Sequence, residues 1–69
     1  MPKRYTSAEL IKIIERDGWY LVRIKGSHHH FKHQKKKGVV TIAHPNKDME
    51  TGTVQNILRQ ASIEKGDIK

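Results

Sequence analysis

Five histidines stand in this chain of 69 residues, and four of them fall within His28-His29-His30-Phe31-Lys32-His33. Histidine is the side chain whose ordinary pKa lets it trade protons near neutrality. Lys25 precedes the run, and Lys35-Lys36-Lys37 follows after Gln34. A histidine set among cations suits acid–base work on a phosphodiester. It can take the proton of a ribose 2′-hydroxyl or give one to a leaving 5′-oxygen. Nearby lysines would stabilise the charge that builds on the phosphate. RNA brings its own nucleophile, so a small protein could manage such cleavage. Plainer readings compete. A histidine on a basic strand is more often a solvated residue or an RNA contact, and a lysine run in a hairpin loop is usually a solvated tip. An expression tag would sit at a terminus, whereas this run lies mid-chain and merges into Phe31-Lys32. His28 and His30 with His44 could hold zinc, but no Asp, Glu or Cys completes that set by local spacing. No metal and no cofactor is expected.

The elements that must position these residues are legible in part. Thr6-Ser7-Ala8-Glu9 is a capping box. Leu10, Ile13 and Ile14 follow at helical spacing with Ile11 widening the stripe, and Gly18 stands where a helix commonly ends. The first helix is expected over residues 7–17. Trp19-Tyr20-Leu21-Val22-Arg23-Ile24 reads as a strand, with an alternation too imperfect to name its buried face. Gly26-Ser27 is a tight-hairpin pair, so a second strand should run from His28 to about Gln34. Phe31 is its best core candidate, which turns His28, His30 and Lys32 to solvent and sets His29 and His33 at the margins or against a helix. Val39–Ala43 is the third strand. Val54, Ile57, Leu58 and Ala61 share one face of a second helix, with Thr51 the expected cap and Asp48 an earlier alternative.

The expected class is α+β: an α-β-β-β-α chain whose three-stranded antiparallel sheet carries both helices on one face. That layout resembles double-stranded-RNA-binding domains. Residues 1–69 form one expected domain, with an ordered core over about 7–63 and a charged tail, 64–69, expected to fray. Fourteen Lys and Arg oppose seven Asp and Glu, a formal charge of +7 with histidines neutral. Such a charge on a small body favours polyanions: nucleic acid, an anionic membrane surface or an acidic protein. No apolar run reaches the roughly 20 residues of a membrane span. Met1-Pro2-Lys3-Arg4 lacks a signal peptide's apolar stretch, and no cysteine is present. A cytoplasmic protein is expected.

Gly18-Trp19, Leu21-Val22-Arg23 and Gly26-Ser27-His28-His29 with Phe31 resemble the HicA family of toxins. Val39, Thr41-Ile42 and His44-Pro45, then Gly52-Thr53-Val54 with Ile57-Leu58, resemble the rest of its pattern, so the likeness spans about residues 7–63. The resemblance implies a double-stranded-RNA-binding-like fold, endoribonuclease activity on mRNA, and neutralisation by a HicB antitoxin, with oligomers formed only through that complex. It maps the functional histidine onto His28, with His29 as the alternative, and gives Gly26 and Ser27 the turn that presents it. Lys25, His30, Lys32, Lys35, Lys36 and Lys37 are the expected RNA contacts. One departure stands out. Ordinary double-stranded-RNA-binding domains carry lysines at the start of the second helix, where this chain has Asp48-Met49-Glu50. A non-catalytic duplex-binding module is therefore the second reading.

Overall fold

Thr6 opens α1 (Ser7–Arg16): its hydroxyl accepts from the Glu9 backbone N–H at 3.1 Å, and the Glu9 carboxylate accepts from the Thr6 N–H at 3.1 Å. Two of the donors that a helix start leaves unpaired are thereby satisfied. The computed structural model describes residues 4–63, so the expected fraying of 64–69 lies outside the described residues. The order found is α1, β1 (Tyr20–Lys25), β2 (His28–Lys32), β3 (Val40–Ala43) and α2 (Thr51–Gln60), with an antiparallel sheet in the order β1-β2-β3. This is the α-β-β-β-α arrangement read from the sequence.

Leu10 and Ile14 of α1, Phe31, Val40 and Ile42 of the sheet, and Val54, Ile57 and Leu58 of α2 are buried in one cluster. Both helices therefore cover one sheet face. They lie over β2 and β3 and leave β1 uncovered, so Leu21, Val22 and Ile24 remain 44%, 45% and 55% exposed. The β1–β2 register also shifts between Leu21 and Arg23, leaving Val22 without a partner. Such a bulge breaks the period of two. An uncovered edge strand with a bulge has no alternation to read, which is why its buried face could not be named.

Boundaries differ from the sequence reading by small steps: α1 ends at Arg16 with Asp17 as its C-cap, β1 runs on to Lys25, and β3 opens at Val40 rather than Val39. Trp19 precedes β1 rather than opening it, because its ring is buried and its indole N–H donates to the Ala61 carbonyl at 3.3 Å. His33 and Gln34 are not part of β2, since the His33 ring turns back to the end of α1. Thr51 is the first residue of α2 rather than its cap. Glu50 holds the cap position and makes no side-chain cap hydrogen bond. Asp48 is occupied elsewhere: Arg4 Nε donates to its carboxylate at 2.7 Å. That hydrogen bond, aided by the Asp48 charge, raises the Arg4 pKa.

Candidate active site

Lys25 and His28 are cross-strand partners separated by two residues, Gly26 and Ser27. Gly26 has φ of +59° and Ser27 does not have a positive φ. A positive angle at the first central residue alone is the pattern of a type II′ hairpin, which favours glycine there. Directly opposed residues share a sheet face. Phe31, Val40 and Ile42 face the helices, so the alternate set faces away. On that open face Lys25 lies opposite His28, which lies opposite Ala43; Arg23 lies opposite His30, which lies opposite Thr41; and Tyr20 lies opposite Lys32. Lys25, His28 and Lys32 are exposed. His30 is half-buried, its Nδ1 within 2.9 Å of Thr41 Oγ1. Arg23 is a further cation that the sequence reading did not select, because the bulge hid its orientation.

Around the same turn, but on the helix side, stands a second group. His29 is half-buried, and its Nδ1 lies 3.3 Å from the Ser27 carbonyl. A carbonyl only accepts, so Nδ1 carries the hydrogen. The His29 ring meets His44 edge-on, with centroids 5.0 Å apart and planes at 86°. His44 Nδ1 is 2.7 Å from Ser7 Oγ, and the His44 backbone N–H donates to the Ser27 carbonyl at 2.8 Å. Ser7 itself is 1% exposed. His44 is therefore not grouped with His28 and His30, and among the described residues no three His, Cys, Asp or Glu side chains converge to hold a metal. Nothing in the sequence ties Ser7 to His44, 37 residues away; the capping box accounts for Ser7's surroundings without it.

The remaining lysine-rich segment is built differently from the expectation. His33 Nδ1 accepts from the backbone N–H groups of Lys35 and Lys36 at 2.9 and 3.1 Å. The hydrogen must then lie on Nε2, which donates to the Asp17 carbonyl at 2.8 Å. The Lys36 ammonium pairs with the Asp17 carboxylate and donates to the carbonyls of Ala61 and Ser62 at 3.0 and 3.1 Å. Lys36, expected among the RNA contacts, is engaged at the ends of both helices. Lys35 and Lys37 are exposed. They follow β2 at the end of the sheet remote from the Gly26-Ser27 turn, with His28 and Lys32 some 13 Å apart along the strand.

A family model described as the HicA toxin of bacterial toxin-antitoxin matches residues 7–63. The chain belongs to the HicA toxin family. It is thus the toxin of a toxin–antitoxin pair, with an antitoxin as its partner. No curated protein matches it. The match begins at Ser7 and ends at Ile63, so it takes in every residue of the two groups around the turn as well as the lysine-rich loop. Among the described residues, no helix of this HicA toxin is long and apolar enough to cross a membrane.

Proposed function

We propose that this HicA toxin is an endoribonuclease that cleaves mRNA by histidine acid–base chemistry and is silenced by a HicB-type antitoxin. The observation that carries the reading is the open sheet face, where exposed His28 lies opposite Lys25, and the pair formed by Arg23 and His30 is the next row along the strands. Exposed cations beside an imidazole that can take up and release a proton are what a polyanionic substrate with an internal nucleophile requires. His28 is the proposed acid–base residue, with His29 its alternative. Gly26 and Ser27 form the turn that presents both. Lys25, Lys32, His30 and Arg23 are the proposed phosphate contacts on the sheet, and Lys35 and Lys37 extend them at its far end.

An antitoxin that silences such an enzyme has an open basic face to cover. An acidic surface would speed its encounter with this toxin and exclude RNA at once. The other reading, a basic module that binds duplex RNA without cutting it, shares the same face and differs in outcome. Purified toxin incubated with mRNA in excess chelator separates them. Fragments produced at the rate seen without chelator are expected. Bound but intact RNA would favour the non-catalytic module.

A further inference from the structure

We propose that His44 is the proton donor to the leaving 5′-oxygen during RNA cleavage, held for that task by Ser7. The inference rests on the ribonuclease reading above and adds the second proton-transfer group that reading lacks. His44 follows β3 directly, and the last residue of β3, Ala43, lies opposite His28. His29 and His44 therefore stand together on the helix side at the end of the sheet that carries Gly26-Ser27, and His28 stands beside the same turn on the open face.

The ring of His44 is held more firmly than a surface histidine needs. Ser7 Oγ sits 2.7 Å from its Nδ1 and also accepts from the Asn46 N–H at 2.8 Å. Ser7 N–H donates to the Asn46 carbonyl at 2.8 Å, so α1 and the segment after β3 are tied twice. A hydroxyl has one hydrogen and two lone pairs. One lone pair takes the Asn46 N–H, and the other can accept from Nδ1–H both while Nε2 carries its proton and after Nε2 has given it up, because the neutral ring then keeps its hydrogen on Nδ1. Ser7 thus keeps the ring's orientation through a proton transfer, whereas an ammonium, which only donates, could not hold Nδ1–H in either state. With Nδ1 occupied, Nε2 is the nitrogen left for substrate. His44 is half-buried rather than sealed, and His29 supports one side of its ring. Orientation of this kind is what efficient proton transfer demands.

The step balances without a metal or an oxidant. A histidine at the start of β2, His28 or its alternative His29, takes the proton of the 2′-hydroxyl. The 2′-oxygen attacks phosphorus, the bond from phosphorus to the 5′-oxygen breaks, and His44 Nε2–H passes its proton to that oxygen. The products are a 2′,3′-cyclic phosphate and a 5′-hydroxyl. The base ends charged and the donor neutral, and exchange with water restores both.

The test replaces the bridging 5′-oxygen at the mapped cleavage site with sulfur, since a thiolate leaves without a proton. His44→Asn retains an amide able to bond Ser7, and His44→Gln reaches toward the Nε2 position. Both should cleave ordinary RNA roughly 10²–10⁴-fold more slowly than wild type, yet cleave the sulfur-bridged RNA at close to the wild-type rate. Ser7→Ala should show a smaller defect with the same rescue, whereas loss of the base slows both substrates. Equal loss on both substrates in folded His44 variants, or no loss on either, overturns the assignment, as do products without a cyclic phosphate. Wild type gives a reading that does not depend on the variants folding. Its pH–rate profile on ordinary RNA should contain a limb set by the proton donor that is absent from the profile on sulfur-bridged RNA; parallel profiles overturn the assignment too. A wild-type protein that cuts neither substrate refutes the ribonuclease reading itself. One that cuts both, while the His44 variants keep both rates, refutes only the role of His44.

Discussion

The Lys36 ammonium meets the Asp17 carboxylate and the carbonyls of Ala61 and Ser62, so one side chain satisfies groups at the C-terminal ends of both helices. Cations are favoured at such ends, where unpaired carbonyls collect. Lys35 and Lys37 have the same charge but stand exposed. The three lysines should therefore respond differently to substitution. Lys36→Met keeps the apolar stem and removes the charge; it should cost about 1–2 kcal/mol in a thermal or denaturant melt, a value held down by the pair's partial exposure. It should leave the salt dependence of RNA binding unchanged. Lys35→Ser with Lys37→Ser should do the reverse: little change in stability, and a salt slope smaller by about one unit for each phosphate no longer neutralised. Equal slopes for wild type and the Lys35/Lys37 variant would make that loop a solvated tip.

At the scale of elements, the junction of α1, β1 and the loop after β2 rests on His33 and Gly18. Gly18 has φ of +110°, and a Cβ added there would come within 2.7 Å of His33 Nε2. Gly18→Ala therefore meets strain in the backbone and a collision with the ring that donates to the Asp17 carbonyl. A loss of about 1–3 kcal/mol is expected, measurable by chemical denaturation; a variant as stable as wild type would mean that the ring moves aside freely. The sequence already marked Gly18 as a helix stop, and the capping box and the period of α2 gave both helices to within a residue or two. Phe31 gave the sidedness of β2, which is how His28 came to be assigned to the open face. What local pattern could not carry is long-range. The exposure of β1 depends on where the helices lie over the sheet, and Arg23's facing depends on a bulge. The contact between Ser7 and His44 exists only once α1 packs beside the segment after β3. Lys36 looked like its neighbours because nothing local distinguishes a lysine that folds back on two helix ends from one in water.

For the whole molecule, the fold assigns its two sheet faces to different work. One face is closed by both helices and holds the buried cluster. The other carries Lys25, Arg23, His28, His30 and Lys32 and stays open. A formal charge of +7 on 69 residues draws this HicA toxin toward any polyanion, so charge alone does not separate cutting RNA from holding it. Cleavage at the histidines beside the Gly26-Ser27 turn is the central claim, and His28→Ala tests it most directly. The side chain is exposed, so its removal opens no cavity, and stability should stay within about 0.5 kcal/mol of wild type. Antitoxin binding should persist. Cleavage of mRNA, measured beside a melt of the same sample, should fall by roughly 10²–10⁴-fold. If folded His28→Ala is fully active while folded His29→Ala is inactive, the proton-transfer role belongs to His29. Undiminished cleavage by both folded variants would contradict the account.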